Sequence, residues 1–441
     1  MLDWPKFIDQ MREYNEIKTL GELKKSGYKP KSIKQELRSN LINRLSIGQN
    51  AFEGIYGFDD TVIPDIERAV LSGHNILLLG LRGQAKTRLA RILVNFLDEY
   101  IPCIEGSELN ECPFQPITRQ SRQLLELKGD ETPIVWLHRS ERYVEKLATP
   151  DVSVADLIGD VDPIKAATLK LPYSDERVLH YGLLPRSHRC IFVINELPDL
   201  QARIQVSLFN ILQESDIQIR GFKVRLPLDI QFVFTANPED YTNRGSIITP
   251  LKDRIESQIL THYPTSIEIA KKITLQEARL QEEQKKKVVV PEILHELLET
   301  VVFKAREGEY TDVKSGVSSR MSISAYECLV SAAERRSIVN KEPKVTVRYA
   351  DFWAIVPAIT GKVELIYEGE QLGAYEVAMH FLKEALTEIF LRYFHHPTKI
   401  RKGADKNPYA VIIEWFRAGN IIDLIHDMTE KEFFTELEKV A

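Results

Sequence analysis

The segment that most constrains this chain is residues 80–87, Gly-Leu-Arg-Gly-Gln-Ala-Lys-Thr, which directly follows an apolar run at residues 76–79. A continuous apolar run is typical of a strand that is buried on both faces of a parallel sheet. After the loop, apolar side chains recur at the spacing of one helix face through residue 97. The segment therefore predicts a strand, a loop and a helix, with backbone N–H groups directed at an anion.

The loop has the spacing of a phosphate-binding loop, with one departure. Gly80, Lys86 and Thr87 fit the pattern of a glycine, four residues and then Gly-Lys-Ser/Thr, but Ala85 replaces the second glycine. We expect Lys86 to pair with the terminal phosphates of a nucleotide and Thr87 to bind Mg²⁺. Ala85 is tolerable if its backbone φ stays negative. The other loop residues predicted to contact the nucleotide are Arg82, Gly83, Gln84 and Arg88. A chance glycine-bearing turn is the alternative.

A second strand ends in polar residues of the kind that ATP hydrolysis requires. Cys190–Ile194 is apolar and is followed by Asn195 and Glu196. At the carboxyl end of a parallel strand, Glu196 would orient and deprotonate the attacking water. Asn195 stands where an aspartate is usual, so it accepts a hydrogen bond from metal-bound water but brings no charge. We therefore expect weak metal affinity and slow hydrolysis. The alternative is a strand that ends in a solvated turn.

A third strand, Asp229–Thr235, is followed by Asn237 and Pro238. An asparagine at the tip of an adjacent strand can polarise the same water, and the proline ends the strand. Taken alone, Asn237 would be interpreted as a turn residue.

These elements, in this order, resemble the AAA+ ATPases, most closely the branch that holds the ATPase subunit of magnesium chelatase and the MoxR-type chaperones. The resemblance covers about residues 50–340, and two further motifs carry it: Pro250-Leu251-Lys252-Asp253-Arg254 and Ser315-Gly316-Val317-Ser318-Ser319-Arg320. It implies that Arg254 reaches the ATP of a neighbouring subunit and that Arg320 is the sensor 2 arginine of a helical lid. A surface ion pair is the alternative for each, and Arg244 is a second candidate for the role of Arg254.

Other segments match the same branch. Ala155–Arg189 resembles its helix-2 insertion, and Asp216–Leu226 resembles its hairpin before the sensor 1 strand. Tyr56 lies in a segment that resembles the one packing on adenine, although core filling is an equally good interpretation.

The predicted fold class is α/β, a P-loop NTPase of AAA+ type with a parallel sheet, a helical lid and flanking helical segments. We expect an N-terminal helical segment at 1–50, the nucleotide-binding core at 51–265, the lid at 266–345 and a helical extension at 346–441. Within these, single helices are predicted from Ser32 to Asn50, over 199–213 and over 270–287.

The resemblance implies a Mg²⁺-dependent ATP hydrolase that forms a homo-oligomeric ring, with six subunits expected, and that remodels a protein partner, such as one bearing a von Willebrand A domain. The alternative is a nucleotide-responsive assembly scaffold with little hydrolysis. A transcriptional activator is disfavoured, because the chain shows neither a separate helix-turn-helix nor the loop Gly-Ala-Phe-Thr-Gly-Ala.

Bulk composition limits the remaining classes. A net charge of −6 with 28% charged residues gives no basic excess for direct nucleic-acid binding. The four cysteines are scattered, which favours free thiols. No secretory signal and no membrane-spanning stretch is expected, which predicts a cytoplasmic protein.

Overall fold

The computed structural model describes residues 16–172, 175–219, 225–238, 245–396 and 408–440. The chain divides into two compact units. The first comprises residues 1–80 and 85–261, and the second comprises residues 81–84 and 262–441. The division therefore passes through the predicted phosphate loop.

In the part of the chain that the structure describes, eleven strands lie in the first unit. They are β1 (Ile76–Leu79), β2 (Tyr100–Ile104), β3 (Ile134–His138), β4 (Tyr143–Leu147), β5 (Gly159–Val161), β6 (Leu179–Tyr181), β7 (Cys190–Asn195), β8 (Asp216–Gln218), β9 (Arg225–Pro227), β10 (Ile230–Ala236) and β11 (Ser257–Leu260). Five of them form a parallel sheet in the order β11–β1–β10–β7–β4. The pairs β2–β3, β5–β6 and β8–β9 are antiparallel and lie outside this sheet.

Helices flank the sheet. In chain order they are α1 (Leu20–Lys25), α2 (Ile33–Ser46), α3 (Val62–Ser72), α4 (Lys86–Ile92), α5 (Arg119–Lys128), α6 (Val154–Leu157), α7 (Pro163–Leu169), α8 (Leu183–Arg186), α9 (Ala202–Ser207), α10 (Phe209–Glu214) and α11 (Thr249–Lys252). Short 3₁₀ turns are formed by Leu93–Phe96, Gly129–Glu131, Arg139–Glu141, Glu176–Val178 and Leu197–Asp199. The predicted α/β class with a parallel sheet is confirmed.

The chemistry of β1 explains its place in the sheet. All four of its residues are buried, and it pairs with β10 on one side and β11 on the other. A strand with neighbours on both edges and helices over both faces contacts no water, so only an apolar sequence fits it.

Helix α2 packs into the first unit. Ser32 and Gln35 form the predicted capping box at its start, and Leu37 and Leu41 are buried along its inner face. The helix ends at Ser46, short of the predicted Asn50. Residues 33–46 thus share a core cluster with α3 and β1.

A buried ion pair also anchors α2. Both carboxylate oxygens of Glu36 accept from the guanidinium of Arg142, at 2.6 and 2.8 Å, and both side chains are almost fully buried. A bidentate pair of this kind fixes geometry, because a buried charge without its partner is costly.

The helix predicted over 199–213 is wrong as a single element. The N–H of Leu208 bonds to the carbonyl of Gln205, three residues back, and this tighter turn separates α9 from α10. The predicted hairpin over 216–226 exists as the β8–β9 pair, while its residues 220–224 lie outside the described part of the chain.

The second unit is mainly helical. Its elements are α12 (Ile267–Glu277), α13 (Glu282–Lys287), β12 (Val288–Val289), α14 (Glu292–Glu307), α15 (Arg320–Val339), β13 (Val345–Thr346), α16 (Val356–Thr360), α17 (Tyr367–Leu372), α18 (Ala374–Tyr393), α19 (Ala410–Arg417) and α20 (Glu430–Leu437), with 3₁₀ turns at Tyr349–Ile355 and Glu438–Val440. One core cluster includes Leu298, Met321, Leu329, Phe352 and Phe381. It joins α14 and α15 to the elements that follow them.

The helix predicted over 270–287 is also two helices. Ala278 is extended, with ψ of 128°, and the next N–H, that of Arg279, donates to Glu327 at 2.8 Å. A side chain on α15 thus takes the donor that a continuous helix would need. Within the described ranges, no helix is both long and apolar enough to cross a membrane.

Candidate functional site

The predicted strand and loop are confirmed, whereas the helix expected through residue 97 ends at Ile92 and is followed by the 3₁₀ turn Leu93–Phe96. The N–H of Gly80 donates to the carbonyl of Ala236 at 3.2 Å, so the loop leaves the sheet beside the carboxyl end of β10. Helix α4 then begins at Lys86. The loop therefore emerges at the edge of the sheet where ligands bind in open α/β folds.

The expectation of a negative φ at Ala85 is wrong. Its φ is +56° and its ψ is 16°, in the left-handed region, at the residue that caps α4. The Cβ of any residue other than glycine is crowded there, at a cost of about 1–2 kcal/mol. The turn into α4 thus keeps the backbone shape that the usual glycine would adopt without strain.

Lys86 is folded across its own loop. Its side chain is buried, and Nζ donates to the carbonyl oxygen of Gly80. Thr87, the next residue, is partly buried in the first turn of α4. An ammonium held at the start of this helix is positioned for an anion, and a phosphate oxygen can replace a carbonyl oxygen as its acceptor.

Asn195, at the end of β7, is held from both sides. Its Oδ1 accepts from the hydroxyl of Thr235 on β10 at 3.0 Å, and its Nδ2 donates to Glu145 Oε1 on β4 at 2.5 Å. One lone pair of Oδ1 remains available for a second donor such as metal-bound water. In its predicted role beside Mg²⁺, Asn195 can therefore accept only one further hydrogen bond.

Glu196 follows with an unusual backbone. Its φ is +56° and its ψ is 49°, and its N–H donates to Thr235 Oγ1 at 3.2 Å. A non-glycine residue in this region is uncommon and is concentrated at functional sites. The turn brings the side chain of Glu196, which is partly buried, to the edge of the sheet.

Asn237 comes directly after β10 and is 2% exposed. Its Oδ1 is buried and has no hydrogen-bond partner among the described residues. A buried acceptor without a donor costs about 1–3 kcal/mol, which is a reason for such an atom to have a ligand or a water. Because β7 and β10 are neighbours in register, the tips that carry Glu196 and Asn237 are adjacent.

Arg254 is positioned by α10 of its own unit. Its Nε donates to Gln213 at 3.2 Å, its Nη1 donates to the carbonyl of Pro250 at 2.7 Å, and its guanidinium lies 4.6 Å from the ring centre of Phe209. Arg244 lies outside the described residues. The inter-subunit role of Arg254 stays a prediction.

Residues 81–84 of the loop belong to the second unit and are held there by polar contacts. Arg82 forms an ion pair with Glu364 at 2.7 Å, and Glu364 also accepts from Ser315 at 2.6 Å. The backbone carbonyl of Arg82 accepts from the hydroxyl of Tyr263 at 2.9 Å. The predicted nucleotide-contacting Arg82 thus has a carboxylate partner that the sequence motifs did not indicate.

Gly83 is needed where it stands. Its φ is +74°, and a Cβ built on it would lie 2.1 Å from Ser318 Oγ. The Cβ of Ser318 and the backbone N of Ser319 lie 3.0 Å from the same point, so a side chain would be crowded as well as strained by the positive φ. Ser318 belongs to the motif that ends in Arg320, so this motif lies against Gly83 within the second unit.

Arg320 begins α15 and is exposed, and its N–H donates to Ser318 Oγ at 3.1 Å. A second arginine organises this segment: Arg306 donates to the carbonyl of Val317 and to Ser319, at 3.1 and 3.2 Å. Burial lowers the pKa of Arg306 to about 10. Sequence reasoning missed Arg306, because one arginine in the last turn of a helix matches no motif.

The other predicted contact residues are placed as follows. Gln84 is buried, Arg88 is partly buried, and Tyr56 is 40% exposed. The side chain of Tyr56 therefore does not fill the core.

Sequence reasoning also missed Glu145. The strand that carries it, residues 143–147, lies in a region where Pro and Gly punctuate the sequence, and no polar pair marks its end. Its position became informative only through the pairing of β4 with β7.

The described residues contain no group of three or more His, Cys, Asp or Glu side chains that could hold a metal ion. Mg²⁺ differs from zinc in this respect, because it usually takes one or two protein oxygens together with waters and substrate phosphates. The hydroxyl of Thr87 and the free lone pair of Asn195 Oδ1 fit that pattern. The residues present are thus compatible with Mg²⁺ bound together with a nucleotide.

Neither a protein-family model nor a curated protein matches the chain. Among solved structures, it matches NtrX from Brucella abortus in complex with ADP at 15% identity, over 87% of this chain and 72% of that one, with a TM-score of 0.42. It matches the BchI–BchD complex of magnesium chelatase at 18% identity, over 73% and 98%, with a TM-score of 0.37. A provisionally named ATPase from Cytophaga hutchinsonii aligns at 16% identity, over 80% and 96%, with a TM-score of 0.32.

All three TM-scores are below 0.5, and likenesses of this size say nothing about activity. The support for a function comes from the geometry of the residues described above.

Proposed function

We propose that this chain is an ATPase of AAA+ type, in the branch of magnesium chelatase and the MoxR proteins, which binds ATP with Mg²⁺ and hydrolyses the bond to the γ-phosphate. The observation that carries this proposal is the buried Oδ1 of Asn237, which has no hydrogen-bond partner among the described residues and lies beside the strained turn of Glu196. Both lie at the sheet edge where the phosphate loop emerges.

Each of these side chains has a distinct task. Lys86 exchanges the Gly80 carbonyl for a phosphate oxygen, and its charge offsets the negative charge that spreads over the γ-phosphate. Glu196 takes a proton from the attacking water. Asn237 accepts the other hydrogen of that water and so fixes the direction of its lone pair. Mg²⁺, when bound, contributes further positive charge to the phosphate oxygens.

The same proposal includes assembly into a ring, in which Arg254 acts on the ATP of the neighbouring subunit. Its support is the way Gln213, Pro250 and Phe209 hold the guanidinium at a partly exposed position. Coupling of the cycle to a protein partner, such as one with a von Willebrand A domain, rests on the sequence resemblance.

A second candidate, a scaffold that binds ATP and assembles but scarcely hydrolyses it, is favoured by one observation. Asn195 carries no charge, and both ends of its carboxamide are already hydrogen-bonded. Release of inorganic phosphate from ATP separates the two. Turnover by the wild type that vanishes in Glu196→Gln supports the ATPase, and ATP-dependent assembly without turnover supports the scaffold.

Binding is tested separately with Lys86→Ala. Loss of the only ammonium in the loop should lower the affinity for a fluorescent ATP analogue by about 100-fold or more, because a buried charged contact is worth several kcal/mol. Lys252→Ala, at an exposed position on α11, is the matched control and should bind normally. Unchanged affinity in Lys86→Ala would rule out the assigned phosphate loop.

A further inference from the structure

Both carboxylate oxygens of Glu145 accept hydrogen bonds from neighbouring side chains. Its Oε1 accepts from Asn195 Nδ2 at 2.5 Å, and its Oε2 accepts from the hydroxyl of Tyr143 at 3.1 Å and from Arg91 at 2.9 and 3.2 Å. The side chain is 23% exposed. The two oxygens thus have different partners: Oε1 accepts from Asn195, and Oε2 accepts from Tyr143 and Arg91.

This carboxylate lies on the metal side of the proposed site. Arg91 follows Thr87 by four residues on α4, so the two share one face of the helix. Since Arg91 contacts Glu145 in the middle of β4, and Glu145 accepts from Asn195 at the end of β7, this face of α4 is turned toward β4 and the end of β7. Thr87 and Asn195, the two predicted Mg²⁺-binding residues, are therefore on the side of the site where Glu145 lies.

The hydrogen bond to Glu145 decides how the carboxamide of Asn195 is turned. Because Nδ2 must face a carboxylate, Oδ1 faces Thr235 and keeps its second lone pair for a further donor. A carboxylate that accepts from an amide also polarises it and makes its oxygen a stronger acceptor. A neutral residue can thereby present a partly charged oxygen to a metal-bound water.

We infer that Glu145 provides, through the carboxamide of Asn195, the negative charge of the Mg²⁺ subsite that an aspartate at position 195 would otherwise carry. The inference rests on the proposed ATP site. Glu145 is a positioning residue, because it acts on the metal-bound water through Asn195. Carboxylates that hydrogen-bond to a metal-binding side chain tune metal sites in this way, and losing one typically lowers metal affinity about 10- to 100-fold.

A purely structural role of Glu145 and a role at the metal site predict different Mg²⁺ affinities for a variant of its neighbour Arg91. If Glu145 served only to tie α4 to β4 through Arg91, then Arg91→Gln and Glu145→Gln would have the same effect. If it serves the metal, Arg91→Gln removes the cation that partly neutralises it and leaves the carboxylate on Asn195. Mg²⁺ affinity in Arg91→Gln should then be equal to or higher than in the wild type.

Exchanging the carboxylate and the carboxamide between positions 145 and 195 gives the most specific test. Asn195→Asp alone places two carboxylates at hydrogen-bond distance, so their repulsion favours protonation of one. The double variant E145Q/N195D interchanges carboxylate and carboxamide between β7 and β4 and keeps one charge and one hydrogen bond. It should recover the Mg²⁺ affinity that E145Q loses, to within about threefold of the wild type.

The experiment titrates Mg²⁺ into the full-length chain with a fluorescent ATP analogue and, in parallel, measures nucleotide affinity in EDTA. We expect E145Q to weaken the Mg²⁺-dependent binding about 10-fold or more, with affinity in EDTA unchanged. Equal Mg²⁺ affinity in E145Q and the wild type overturns the inference. Equal losses in E145Q and R91Q also overturn it.

The two proposals fail in different ways in this titration. If the wild type does not bind the nucleotide at all, the proposed function fails. If the wild type binds with Mg²⁺ dependence and E145Q matches it, only the role of Glu145 fails. Should E145Q not fold, R91Q decides the question, since a loss of Mg²⁺ affinity in that variant contradicts the inference.

Discussion

Two residues at the ends of the site adopt backbone shapes that suit glycine. Ala85 and Glu196 both have a φ of +56°, one entering α4 and the other leaving β7. The strained backbone at both residues lowers stability, and both residues lie where the chain must turn sharply at the edge of the sheet. Asn237 Oδ1, which has no hydrogen-bond partner among the described residues, adds a third local cost at the same edge. Local instability of this kind persists when the surrounding sheet over-determines the geometry.

Ala85→Gly should stabilise the protein. The left-handed conformation costs alanine about 1–2 kcal/mol, whereas glycine loses about 0.4–1 kcal/mol through its more flexible unfolded chain. The net gain is up to about 1.6 kcal/mol, observed as a higher midpoint of thermal unfolding.

The matched control for this prediction is Ala202→Gly. Ala202 is exposed in the first turn of α9 and has no positive φ, so glycine there should lower stability by up to about 1 kcal/mol. A destabilising effect at position 85 as large as at position 202 would contradict the strain at Ala85.

At the scale of elements, the packing of α12, α14 and α15 buries two ionisable side chains. Glu299 and His295 lie on α14, with His295 Nε2 and Glu299 Oε1 3.8 Å apart, and Thr274 of α12 donates to Glu299 at 2.6 Å. Burial raises the pKa of Glu299 to about 7 and lowers the pKa of His295 to about 4. Lys271 and Arg306 are the nearby cations that partly offset the shift at Glu299.

These pKa shifts give opposite pH dependences. Folded Glu299 keeps its proton up to about pH 7, while the unfolded chain releases it near 4.5, so its contribution to stability falls as pH rises through this window. His295 stays neutral in the folded chain at pH values below about 6.5, where the unfolded chain takes up a proton. Its contribution to stability is therefore lost as pH falls toward 4.

Glu299→Gln should therefore raise stability at pH 8. A pKa raised from 4.5 to about 7 corresponds to roughly 3 kcal/mol of destabilisation above that pH, and the neutral amide avoids it. The measurement is the thermal unfolding midpoint at pH 5.5 and pH 8, with Glu307→Gln on the exposed side of α14 as control. A gain at pH 5.5 as large as at pH 8 would show that ionisation of Glu299 is not the cause.

For the whole molecule, the proposal requires more than one copy of the chain. In the described residues, the guanidinium of Arg254 contacts α10 and the turn at Pro250, whereas Lys86 and Glu196 have hydrogen-bond partners elsewhere in the same unit. An arginine that acts on a neighbouring subunit's γ-phosphate typically increases the rate by about 1000-fold or more.

Arg254→Ala should thus leave ATP binding unchanged and lower hydrolysis by about 1000-fold. Mixing this variant with Glu196→Gln should restore measurable phosphate release, because some interfaces then combine an intact Glu196 with an intact Arg254. Stable mixed assemblies without any recovery would argue that Arg254 does not act between subunits. Mixing Arg254→Ala with Lys86→Ala is a second complementing pair, since Lys86 and Glu196 belong to the same subunit's site.

Elements whose pattern is local could be predicted from the order of the amino acids. The apolar runs of β1 and β7, the loop between Gly80 and Thr87 and the capping box at Ser32 follow from contacts within a few residues, and the structure has each of them. The breaks at Leu208 and Ala278 were not predicted, because helical periodicity continues across both and only hydrogen bonding to particular partners interrupts the helices.

Which side chains contact one another depends on the folding of distant segments onto each other. Glu145 and Asn195 are 50 residues apart and bond because β4 and β7 are parallel neighbours, and Arg82 and Glu364 meet across 282 residues. The backbone sign at Ala85 was likewise imposed by the turn from β1 into α4, against the preference of alanine itself. Local patterns record what a segment prefers, whereas strand order and core packing choose its distant neighbours, and those neighbours set the charge and geometry of the site.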